Sequence, residues 1–280
     1  MTVRLDTDPP TRRLADALRG AITEALKVIT VRRNLIGIVL AMVVVLAQPW
    51  ALLAAFGWLA QEGVDASPLE VLGLSVRNLD AGFLLMLLLG QQAYVSDASH
   101  GLLQQAVIGT RRRLGTAVDK TLFGALAALA IASVATLSSG VASRVVGEQP
   151  SQIPATYWAR TVVVLSLALL LYYVIGLLTA GLIRSKALAV VVGVGTFWVF
   201  LPAVFSSLAL GGGGGTWLRW ILPTELAAAT LAWVPGGNPL VVTGESVAIY
   251  TMLLLGWLGA LTFAWLMMLR RRQFFPSEPS

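Results

Sequence analysis

Hydrophobic positions gather into long runs rather than short alternations. Six runs stand out, at 35–60, 79–95, 117–141, 161–183, 187–210 and 247–269. A helix that crosses a bilayer needs about 20 apolar residues to span roughly 30 Å. The pattern therefore predicts an all-α fold: a polytopic membrane protein with six transmembrane helices in one domain covering 1–280. The second run is the shortest. The fourth and fifth are separated only by Arg184, Ser185 and Lys186, which predicts a tight helical hairpin.

Three segments outside the runs have their own pattern. In 11–33, Leu14, Leu18, Ile22, Leu26 and Ile29 recur at spacings of three and four, while Arg12, Asp16, Arg19, Thr23 and Lys27 fall largely elsewhere. That predicts a basic amphipathic helix lying on a membrane surface or packed on another subunit. In 96–120, Ser96 or Ser99 is a candidate N-cap for a short helix with Leu102, Leu103, Ala106 and Val107 on one side. Gly109 is its candidate stop. A solvated loop whose arginines serve topology is the other reading. The segment 211–246 opens with five glycines and continues into two short Trp- and Leu-bearing stretches punctuated by Pro223, Pro235 and Pro239. These are too short to span and predict interfacial or re-entrant helices.

Composition agrees with the pattern. Only 12% of residues are charged and 57% are apolar, whereas soluble domains average about 25% charged. The net charge of +6 would suggest nucleic acid in a soluble protein. Beside apolar runs it points instead to anionic lipid and to topology, with no nucleic acid as partner. With the N-terminus inside, sixteen of the twenty Lys and Arg residues fall on the cytoplasmic side. Only Arg77, Arg144, Arg160 and Arg219 lie outside. Both termini are therefore expected in the cytoplasm of a cell inner (plasma) membrane. The first run is longer than a signal-peptide core and reads as a retained span. Asp80 and Asp119 stand at the start of the second and third runs, where a helix dipole favours a carboxylate or where the interface accommodates one.

Catalytic templates find little. There is no cysteine and one histidine, His100, so disulfides, thiol catalysis and thiolate or histidine-cluster metal sites are excluded. No phosphate-binding loop, zinc-protease helix or serine-hydrolase elbow is present. No ionisable groups sit near the midplane of a run, which argues against ion-coupled transport. The chain is not expected to be an enzyme by itself. A lipid-modifying enzyme would require Tyr172, Tyr173 and Arg160 to act together.

The order of parts resembles the permease subunits of ABC-2 type ABC transporters. That family has an N-terminal elbow helix, six spans, a coupling helix between the second and third, and short outer helices before the sixth. The local match lies at Asp97, Gly101, Leu102, Leu103, Arg113 and Lys120. It departs from the family in having Asp for the commoner Glu and in lacking the proline before the arginine. The resemblance implies an ATP-driven exporter permease that pairs with a second copy or a homologous permease. It also implies a separate ABC ATPase subunit that carries ATP and Mg, with the coupling helix, in the region 97–110, seated on it. The second and fifth spans would line the pathway, nominating Phe83, Met86, Phe197, Trp198, Phe200 and Phe205 for an amphipathic drug, antibiotic, peptide or lipid. A non-transporting scaffold or assembly subunit fits the same six helices.

Overall fold

A computed structural model describes residues 10–61, 80–99, 110–146, 155–183, 186–196 and 244–271. Among them no strand occurs, and the fold is all-α. The elements are α1 (Pro10–Thr30), α2 (Arg32–Gln61), α3 (Asp80–Ser99), α4 (Thr110–Val146), α5 (Ala155–Leu182), α6 (Lys186–Val194) and α7 (Gly244–Arg271).

Among the described residues, four helices are long and apolar enough to cross a bilayer, through 34–51, 117–142, 156–182 and 248–269. They correspond to the first, third, fourth and sixth apolar runs. The second run forms α3, whose apolar stretch is only Ala81–Val95. At 1.5 Å per residue those fifteen positions cover about 22 Å, short of a full hydrocarbon core. For the fifth run only the start is described, as α6. Phe197, Trp198, Phe200 and Phe205 lie outside the described residues, as do Gly101, Leu102, Leu103 and the segment 211–243.

α5 is the centre of the packing. Two thirds of its apolar window is buried (67%), against 11% for the windows of α2 and α7. α3, α4 and α7 pack around it, and α6 folds back onto it. The large exposed side chains of α2 and α7, such as Val39, Leu40, Met252 and Phe263, are apolar. They form a surface suited to lipid rather than water. In that setting helices gain little from apolar burial alone, and association rests on close van der Waals contact and on interhelical hydrogen bonds.

Both devices are present. Gly90 of α3 lies against the carbonyl of Tyr173, and Gly176 of α5 lies against the carbonyl of Leu87. The two backbones meet with no Cβ between them. Elsewhere Pro49, buried within α2, removes a helix N–H and crowds the carbonyls of the preceding turn. The carbonyl left without its helical donor is that of Val45; Ser138 of α4 donates to the next one, that of Leu46, at 2.9 Å and ties the two helices beside the proline.

Two expectations about helix ends are corrected. Ser96 is not an N-cap, because α3 continues through it to Ser99; Asp97 therefore sits in the last turn of α3. Asp119 is not at a helix start, because α4 begins at Thr110, more than two turns earlier. In both places the helix outruns the apolar run, since the 3.6-residue hydrogen-bond ladder continues into polar sequence, through Gly115 in α4, where no Pro stops it.

Candidate functional site

The densest charge in the described core lies where α1 crosses the end of α3 and the start of α4. α1 has three faces rather than two. Leu18, Ile22, Leu26 and Ile29 form an exposed apolar stripe. Arg19, Thr23 and Thr30 are exposed on a polar face. The third face, with Ala21, Glu24 and Val28 buried and Ala25 partly so, packs on the protein. Small residues there allow close approach to α4. At Gly20 the approach is closest: a Cβ would overlap the carboxylate of Asp119.

Glu24 is the acid on this small-residue face, and it is 5% exposed. Its Oε1 accepts from Lys27 Nζ at 2.8 Å, and its Oε2 faces Lys120 Nζ at 3.3 Å. Lys120 is 2% exposed and also donates to the carbonyl of Ala93 on α3 at 2.6 Å. One ammonium thus joins three helices. The local charges balance, with Glu24 and Asp119 against Lys27 and Lys120. A buried ion is tolerable only under such pairing, since its desolvation otherwise costs several kcal/mol.

Of the residues expected to couple to a partner, the structure positions Lys120 inside this joint rather than on an open surface. Arg113 lies in the first turn of α4 and Asp97 in the last turn of α3. Of the residues expected along a pathway, Phe83 and Met86 are 3% and 0% exposed within the chain's own core. Phe83 stacks at a tilt on Tyr172, with ring centroids 4.9 Å apart.

A second polar node lies two residues before Ala93. Gln91 Nε2 donates to Thr179 Oγ1 of α5 at 3.1 Å and to the Ala189 carbonyl of α6 at 2.8 Å. It pins the α5–α6 hairpin to α3. Its Oε1 has no hydrogen-bond partner among the described residues. Tyr172, Tyr173 and Arg160 do not converge. Tyr173 packs edge-on to Phe123, Arg160 lies over the Tyr157 ring, and three turns of α5, about 18 Å, separate Arg160 from Tyr172. Among the described residues no group of three or more His, Asp or Glu is placed to hold a metal.

Sequence reasoning singled out Lys120 but missed Glu24. The signal was present: Glu24 lies among Ala17, Ala21, Ala25 and Val28 on one side of the helix, a poor setting for a solvated acid. These features define a multi-pass α-helical membrane protein with a buried interhelical charge joint. Comparison with known proteins finds no matching family model and no matching characterised relative.

Proposed function

We propose that the chain is the transmembrane permease subunit of an ATP-driven exporter of the ABC-2 type. In this reading it has six spans and short outer re-entrant helices, and lies in the cell inner membrane with both termini cytoplasmic. The observation that carries the proposal is the docking of a basic, three-faced N-terminal helix onto the junction of α3 and α4. An elbow helix seated beside a coupling segment has this arrangement. The charge asymmetry supports the orientation, since that junction lies on the Lys- and Arg-rich side.

In this reading ATP is hydrolysed on a separate nucleotide-binding subunit, and segment 97–110 receives the force of its closure. A second permease copy or a homologue completes the pathway for an amphipathic substrate. The test is co-purification from native membranes. The wild-type chain brings down an ATPase subunit, and the pair hydrolyses ATP while the isolated chain does not. Leu102→Asp with Leu103→Asp abolishes the association while leaving the chain in the membrane. An unchanged complex with normal transport in that double variant overturns the coupling assignment. Absence of any ATPase partner in the wild type overturns the transporter reading in favour of a scaffold.

A further inference from the structure

α1 is attached to the rest of the chain in two unlike ways. At its C-terminal end helical structure breaks at a single residue, Val31, between Thr30 and Arg32. The Val31 carbonyl accepts from the N–H groups of Asn34 and Leu35 at 2.8 and 3.1 Å, so the break belongs to the first turn of α2. Two turns earlier, Glu24 and its neighbours make the second attachment, to α4 and, through Lys120, to the Ala93 carbonyl of α3.

Between these points the seat of α1 holds little apolar bulk. Among its described side chains the buried hydrophobic ones are Ala21 and Val28, whereas Leu18, Ile22, Leu26 and Ile29 all face outward. Lifting the helix therefore gives up few large apolar contacts. What it does give up is the contact of Glu24 with a buried ammonium, 3.3 Å apart. Docking of α1 and pairing inside the joint are linked, because seating the helix is what brings this carboxylate to the buried Lys120. A one-residue pivot and a charge-dependent seat make a two-position element.

We infer that α1 is a hinged arm, pivoting at Val31 and latched to the facing ends of α3 and α4 by the Glu24–Lys120 ion pair. The latch sits where α3 ends its apolar stretch and α4 begins its own, so its state is felt by both helices. This inference rests on α1 and its neighbours alone and does not depend on the transporter reading.

The chain has no cysteine of its own, which gives a direct test in the full-length protein in phospholipid vesicles. Ala21→Cys reports on the seat of α1, and Ala132→Cys, in the buried interior of α4, reports on the fold; both sites are buried. With Glu24→Gln, and separately with Lys120→Met, maleimide labelling at position 21 accelerates at least tenfold while position 132 stays at its original rate. No acceleration at position 21 overturns the latch. A parallel rise at both positions also overturns it, because the ion pair then supports the whole fold rather than one arm. Hydrogen exchange on the unmodified chain gives an independent reading. Residues 10–30 exchange as one unit, at least tenfold faster than 117–135; equal rates overturn the hinge.

Discussion

Gly90 of α3 and Gly176 of α5 face one another so closely that a methyl group on either would strike a backbone carbonyl of the opposite helix. The contact is reciprocal: Gly90 meets Tyr173 and Gly176 meets Leu87. It sets the separation of the two most extensively packed helices, and the Gln91 hydrogen bonds depend on that separation. Gly90→Ala and Gly176→Ala should each destabilise the fold by about 1–3 kcal/mol, the usual cost of overpacking. Gly37→Ala and Gly259→Ala meet nothing within 4 Å. In those exposed helical positions Ala is favoured by up to about 1 kcal/mol. Thermal unfolding in detergent, compared across the four variants, checks the contrast.

The joint at Lys120 predicts a failed rescue. Removing one member of a buried ion pair costs about 3–5 kcal/mol where the other is left buried and unpaired; here the loss falls on the seat of α1, so Lys120→Met and Glu24→Gln should each loosen that helix while the rest of the fold keeps its stability. Exchanging the charges, Glu24→Lys with Lys120→Glu, restores that one pairing but sets a lysine at 24 beside Lys27 and gives position 120 an acceptor opposite the Ala93 carbonyl, which now receives from Lys120. The swap should therefore recover less than half of the loss. Return of maleimide labelling at Ala21→Cys to its wild-type rate would mean that neither the Lys27 pair nor the carbonyl contact adds anything.

Pro49 and Ser138 should act independently. Interhelical hydrogen bonds in membranes average about 0.6 kcal/mol, so Ser138→Ala should cost roughly that much in the wild-type chain. Pro49→Ala returns a donor to the Val45 carbonyl, not to that of Leu46, which Ser138 reaches, so the same substitution should cost about as much in that background. A double-mutant cycle measures the difference; a cost that vanishes without the proline would tie the hydroxyl to it.

The three faces of α1 predict a pattern of solvent contact. A nitroxide at Ile22→Cys, on the exposed apolar stripe, should collide with dissolved oxygen as a lipid-facing site does. At Thr23→Cys, on the polar face, it should collide instead with a water-soluble nickel chelate. Power-saturation measurements in vesicles containing anionic lipid distinguish the two. The same accessibility at both positions would remove the membrane surface as the environment of this helix.

The long runs that became the windows of α2, α4, α5 and α7 were legible because a bilayer-length apolar stretch is a coarse signal that tolerates errors of several residues. Helix ends were not. α4 starts at Thr110 rather than near Ala117, since Arg, Leu and Thr continue a helix well enough to carry it across the single Gly115. The outward stripe of α1 was visible in the spacing of Leu18, Ile22, Leu26 and Ile29. Its direction of docking was not, because the seat uses Ala21 and Glu24, which carry almost no weight in a hydrophobic pattern. The Glu24–Lys120 pair was hidden for a plainer reason. Its members come from different apolar neighbourhoods, and nothing local links them.

That separation also bears on how the protein is made. Lys120 follows Glu24 by 96 positions. At the usual pace of 5–20 residues per second, the ribosome needs on the order of 5–20 s to supply the second after the first. Through that interval the first helix has been synthesised without its seat, and the acid meant for the interior has only its neighbour Lys27 to meet. The outward stripe of leucines and isoleucines offers it a berth at the lipid surface while α2 and α3 are threaded. Final seating of the arm is thus a late event in biogenesis, set by the arrival of α4 rather than by the order of the sequence.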